Sequence, residues 1–169
     1  MIQRLSKCLL LASVAFIYTL IAFDNVTDYG SNYEFVRHVL SMDTTFAGNR
    51  LMWRAITNPG VHTAFYCVII GWEIVTAVLC WWAFARMMTR LRAPAAVFAK
   101  SKELAVAALV VGLLLWFVAF LCIGGQWFVM WQSPTWNGQE AAFRMFACLM
   151  LILLYLSLPD PDLGATANA

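Results

Sequence analysis

The sequence predicts an all-α protein, a four-helix transmembrane bundle with a short helical non-cytoplasmic cap between helices 1 and 2. Three observations carry this. Of 169 residues, 63% are hydrophobic and only 12% charged, about half the charged share of a soluble domain. Four apolar segments, 8–23, 61–85, 104–123 and 142–158, alternate with polar stretches. Lysine and arginine are unequally shared between alternate connections, the asymmetry that orients spans in a membrane. A chain this short forms one integral membrane domain, here 1–158, whose apolar excess faces lipid.

The first span follows Arg4 and Lys7. A basic start before an apolar run resembles a secretory signal, but Ala22-Phe23-Asp24 is not a small-x-small cleavage site. The segment therefore reads as an uncleaved anchor. Spans 1 and 4 are shorter than the roughly 20 residues a bilayer needs, so both are expected to extend into flanking polar turns or to thin the bilayer. The second and third are long enough by themselves.

Residues 24–60 are too patterned for a plain loop. Ser31-Asn32-Tyr33-Glu34 has the form of a capping box, and Phe35, Val36, Val39, Leu40 and Met42 follow at helical spacing. A second short helix is expected over 49–56, ended by Asn58-Pro59-Gly60. Two amphipathic pieces at a membrane surface describe a cap over the bundle mouth or a docking face. The third span ends in Gly124-Gly125, and Gln126-Trp127-Phe128-Val129-Met130-Trp131 reads as an interfacial continuation. Trp81-Trp82 would anchor the opposite interface. The tail, 159–169, is small and polar and reads as disordered.

Orientation follows from the loops. Arg4, Lys7, Arg86, Arg90, Arg92, Lys100 and Lys102 fall on one side, and Arg37, Arg50 and Arg54 on the other. Excess base marks the cytoplasm, which puts both termini there and the cap outside. A net charge of +2 is too small to suggest a nucleic-acid partner, no basic, aromatic-interleaved patch is present, and no such partner is expected. The five cysteines lie in or beside apolar runs without metal-type spacing. They read as packing residues, and no disulfide is expected.

The stretch Tyr29-Gly30-Ser31-Asn32, the run from Phe35 to Phe46, and Met52-Trp53-Arg54-Ala55-Ile56 form one half of a longer pattern. The other half is Gly124-Gly125-Gln126-Trp127 through Gln132-Ser133, then Thr135-Trp136-Asn137-Gly138-Gln139, with Trp72-Glu73 and Arg144. Together these residues resemble the proteobacterial predicted small integral membrane protein family, a domain of unknown function. The resemblance covers nearly the whole chain except the tail. It implies four spans and an inner-membrane address, and no activity, catalytic residue or cofactor.

Glu73 is the sharpest chemical feature, a carboxylate near the middle of span 2. A charge there costs several kcal/mol, so it must be protonated, paired or facing a wet cavity. Three readings follow: a neutral group hydrogen-bonded across the bundle, a proton- or ligand-handling group, or a contact to another subunit. Arg144 is the candidate counter-charge. Glu73 lies about 18 Å below the external end of its span and Arg144 only about 5 Å down its own, so pairing needs a reaching arginine with shifted helix ends, or a bridging Gln126 or Gln132. Otherwise Arg144 snorkels to the interface.

Arg37, His38, Asp43, Arg54, Trp136 and Asn137 form a candidate external cluster, joined by Arg50, Gln132, Gln139 and Glu140. They are either the wiring of the cap or a site for a small ligand or headgroup. His38 and His62, the two histidines, could in principle serve a haem, or with Asp43 a metal. No cofactor is called for by any motif, and none is expected. No nucleophile pattern, P-loop, GxGxxG or HExxH is present, so enzyme chemistry is not the leading class. Cys67…Gly71 and Ala108…Gly112 are small-xxx-small pairs that would let helices approach.

Three functional classes remain. The first is an accessory or assembly subunit of a larger membrane complex, for example a respiratory one, with a membrane-protein partner; a homo-oligomer belongs instead to the second class. The second is a self-contained transporter or ligand-binding membrane protein built on the intramembrane carboxylate. The third is a haem- or quinone-binding redox protein.

Overall fold

A computed structural model describes residues 1–162. It is all-helical, with no strand among the described residues and four helices long and apolar enough to span a membrane. Only helices and closed barrels satisfy their backbone polar groups inside lipid, and these sequences choose helices. Span 1 is α1 (Ile2–Thr27), span 2 is α3 (Pro59–Thr89), span 3 runs from α5 (Glu103–Leu114) into a wider helix, Leu115–Trp127, and span 4 is α6 (Gln139–Ser157). Two shorter helices complete the chain: α2 (Tyr29–Ser41) after span 1, and α4 (Ala95–Ser101) between spans 2 and 3.

The first span is longer than its apolar run. At about 1.5 Å per residue, its 26 residues reach about 39 Å. The basic start belongs to the helix and is buried: Arg4 and Lys7 are inside the protein. Both were expected to face water at the end of the chain. They are drawn in because backbone carbonyls and Asp160 are there to receive them.

The cap is one helix and a turn. The helix α2 begins at Tyr29, ahead of the expected capping box, and Ser31 Oγ instead donates to Asp28 Oδ2 at 2.8 Å. The expected second helix over 49–56 shrinks to a single 3-10 turn, Met52–Arg54. Asn58 and Pro59 start α3 as well as ending the cap. The Asn58 side chain accepts from the Gly60 amide at 2.8 Å, with Pro59 at the first helical position, where its missing N–H is not needed. Val36, Val39 and Leu40 of α2 pack with Tyr66, Ile70, Phe128 and Met130 in a second apolar core. Each such side chain removed from water stabilises the docked cap by roughly 1.5–3 kcal/mol.

The glycine pair does not end span 3. The helix continues through it with the wider i→i+5 bonding of a π-helix, which closes with Phe128 N to Ile123 O at 3.0 Å. The glycines are there for close approach. A Cβ at Gly125 would lie 2.6 Å from Gln139 Nε2, and one at Gly124 would lie 3.3 Å from Met130 Sδ. In the continuation, Trp127 and Trp131 are exposed, whereas Phe128, Val129 and Met130 are buried in the cap core. Of the segment expected to lie at the interface, Gln126, Trp127 and Trp131 are exposed and the middle is core.

The start of the tail is also ordered against the bundle. The Asp160 side chain is 1% exposed, the Pro161 carbonyl accepts from Arg4, and Asp162 accepts from the Ala95 amide. Residues 159–162 thus depart from the expectation of disorder, because buried cations hold them. The rest of that expectation, 163–169, lies outside the described residues.

Candidate functional site

Glu73 sits on the inner face of α3 and is 2% exposed. Its Oε2 accepts a 2.7 Å hydrogen bond from Asn25 Nδ2, near the end of α1. The Asn25 Oδ1 in turn accepts from Asn32 Nδ2 at 2.6 Å and from the Tyr66 hydroxyl at 3.1 Å. The chain of donors therefore runs from the cap, through Asn25, to the carboxylate. The amide orientation is self-consistent, because Asn25 must donate to the acid and so presents its oxygen to the other two groups. Glu73 Oε1 has no hydrogen-bond partner among the described residues.

A cavity of about 230 Å³ opens beside this network, lined by Asn25, Asn32, Tyr66, Glu73, Trp116 and Phe120 among others. Its lining contains no lysine, arginine or histidine. A second cavity, about 170 Å³, has a wall of apolar side chains such as Phe65, Trp72, Ile123 and Met130. The two share Phe35, Val36, Ile69 and Phe120 as a common partition. Below Glu73, Trp116 Nε1 donates to the Tyr18 hydroxyl at 2.8 Å, and that hydroxyl donates to Gly112 O at 3.0 Å. A Cβ at Gly112 would lie 2.7 Å from the Tyr18 oxygen, so the glycine is what lets α1 and span 3 close at this level.

The residues proposed to accompany Glu73 are elsewhere. Arg144 is 70% exposed and lies 3.8 Å from Glu140, one turn back on α6. Gln126 is exposed, and Gln132 accepts from the Phe46 amide in the cap. Arg144 points away because the inner side of α6 is occupied by Ala142 and Leu149. The partners that sequence reasoning missed are Asn25, Asn32 and Tyr66. Asn25 lies just beyond the apolar run in a polar stretch, so nothing in the sequence set it apart from an interfacial residue.

The external cluster divides in two. Arg37, His38, Asp43 and Trp136 are together: His38 Nδ1 is 2.8 Å from Asp43, its ring stacks on Trp136 at 4.5 Å, and Arg37 bonds Glu34 at 2.8 Å. Arg54 is separate, lying over Trp127 at 4.6 Å and Trp53 at 5.1 Å. Asn137 accepts from the Gln139 amide and shapes the start of α6. His62 is buried, with Nε2 2.7 Å from Ile56 O, so the two histidines serve different partners. No group of three metal-ligating side chains occurs among the described residues.

The model of a family described as "Predicted small integral membrane protein (DUF2165)" matches residues 3–159. The chain belongs to this family. The match takes in all four spans, the cap and Glu73, and extends to the ordered start of the tail. No curated protein and no solved structure matches the chain.

Proposed function

We propose that this protein is a self-contained ligand-binding membrane protein, with Glu73 as the group that binds a cationic ligand in exchange for a proton. One observation carries the reading: a fully buried carboxylate has only the neutral Asn25 as a partner and stands on the wall of a cavity without a cation. An ionised carboxylate in such a place is stable only with a counter-charge, and otherwise holds a proton. The cavity wall adds Phe35, Tyr66, Trp116 and Phe120, whose ring faces attract organic cations. Proton and ligand then compete for one carboxylate.

The test uses purified full-length protein and phenyltrimethylammonium, followed by Trp fluorescence and by proton release into weak buffer. Binding should tighten as pH rises, release close to one proton per ligand, and vanish in Glu73→Gln. Equal binding by Glu73→Gln would overturn the reading.

A second reading, an accessory or assembly subunit of a larger membrane complex, is favoured by α6. That helix is the least covered span and turns Phe143, Leu151 and Leu154 outward. Extraction from native membranes in mild detergent, then mass spectrometry, should give a stoichiometric protein partner if this is its role. A homo-oligomer or a monomer would count against it. The inner-membrane placement with both termini cytoplasmic rests on Arg86, Arg90, Arg92 and Lys100, exposed together at the terminal end. Labelling of single cysteines at that end in intact cells tests it.

A further inference from the structure

At the end of α3 the chain forms a groove against α4, about 530 Å³, whose wall includes Arg86, Thr89, Arg90, Lys100 and Ser101. The structure assigns this groove to the phosphodiester headgroup of an anionic phospholipid, independently of what Glu73 does. Arg86, Arg90 and Lys100 are exposed and have no ionic partner among the described residues. The acidic side chain that reaches α4, Asp162, is engaged with the Ala95 amide. Arg86 lies in the last turn of α3 and Arg90 is the residue that caps its end, both on one wall of the groove, and Lys100 comes from the opposite wall. The Thr89 hydroxyl donates to the Arg86 carbonyl at 2.8 Å, which leaves the three cations as the side-chain donors for an anion in the groove.

The surroundings select a lipid over a free anion. Val97 brings an exposed apolar side chain to the groove. Trp82 and Val78 precede Arg86 by one and two turns and are among the most exposed apolar residues of α3. They give acyl chains a continuous path down the helix from a phosphate held by the arginines. Exposed tryptophans at Trp81 and Trp82 mark the headgroup level. Basic pockets between spans at this level take anionic headgroups.

The test is native mass spectrometry of the full chain after delipidation and titration with phosphatidylglycerol, phosphatidylcholine or inorganic phosphate. Phosphatidylglycerol should be retained about tenfold or more over phosphatidylcholine. The double variant Arg86→Ala/Arg90→Ala should lose the preference, whereas Arg92→Ala, at the same end but outside the groove, should keep it. All three residues are exposed, so folding is not at stake, and a melting curve checks this. Equal retention of the two lipids, or a preference surviving in the double variant, would overturn the assignment. Displacement of the lipid by millimolar phosphate would do the same and make the groove a site for a free anion.

Discussion

The protein buries two carboxylates, one past the end of span 4 and one near the middle of span 2, in opposite ways. Asp160, past the end of α6, lies between Lys7 at 2.9 Å and Lys102 at 2.7 Å, with the Leu158 carbonyl accepting from both ammonium groups. Glu73 has a single amide donor, no cation and an adjoining cavity. The first arrangement is closed and over-determined, and it staples the tail to α1 and span 3. The second leaves an oxygen unpartnered beside open space. Charge satisfaction with no room for a ligand is what a structural device needs. Charge left open beside a cavity is the form of a binding site.

Breaking the closed site should have the largest effect. Asp160→Asn strands two buried lysines, and removing one partner of a buried ionic group costs about 3–5 kcal/mol. Thermal unfolding in detergent should show a drop of that order, with residues 159–162 becoming open to proteolysis. The same site sets an acid limit. Burial by itself would raise the Asp160 carboxyl, but hydrogen bonds and charge from Lys102 and Lys7 prevail and hold it below its ordinary value. A carboxylate depressed in the folded state contributes stability above its unfolded pKa, about 3.9, and loses it as pH falls through the folded value. The wild-type melting temperature should therefore fall more steeply than that of Asp160→Asn below about pH 4. Parallel curves would mean that the lysines are satisfied by other groups.

A smaller loss is expected where the bundle closes under Glu73. In Gly112→Ala the new Cβ would stand 2.7 Å from the Tyr18 hydroxyl, forcing apart a contact that also carries the bond from Trp116. Overpacking of this kind costs about 1–3 kcal/mol, read as a lower melting temperature with changed Trp fluorescence. Glu73→Gln should cost less than about 1 kcal/mol. An amide oxygen can still accept from Asn25, and no buried cation is left behind. A loss of 3 kcal/mol or more would place Glu73 in the same structural class as Asp160 and undo the contrast between them.

The legible part of this protein was its relation to lipid. The apolar runs that mark the four candidate spans are set by the solvent, and they needed no partner to be read. What escaped was pairing across the sequence. Arg4 and Lys7 read as loop charges because their receivers, Ala93, Asp160 and Pro161, lie far along the chain. Asp160 read as part of a loose tail for the same reason. Of the two small-residue pairs, Ala108…Gly112 is packed, while Gly71 faces open space and Cys67 is exposed. Helical spacing finds such pairs without showing which one meets a neighbour. Likewise Cys8 and Cys80 are buried, but Cys67, Cys122 and Cys148 are exposed; an apolar residue in a span packs or faces lipid with equal ease. Glu73 was visible because a charge in an apolar run is anomalous, and Asn25 was not because a polar residue at a helix end is ordinary.

The smallest effect should come from Arg144, and it bears directly on the contrast. If Glu73 were a disguised ion pair, Arg144 would be the partner that spans 2 and 4 could supply. The guanidinium is instead 70% exposed, and its nearest acid is Glu140 at 3.8 Å, itself 88% exposed. An exposed pair one turn apart contributes at most a few tenths of a kcal/mol. Arg144→Ala should leave the melting temperature within experimental scatter and the pH dependence of ligand binding unchanged. A shift of that pH dependence to higher values on losing Arg144 would mean that its positive charge reaches the carboxylate. Glu73 would then be a paired group like Asp160, with its counter-charge supplied across the bundle.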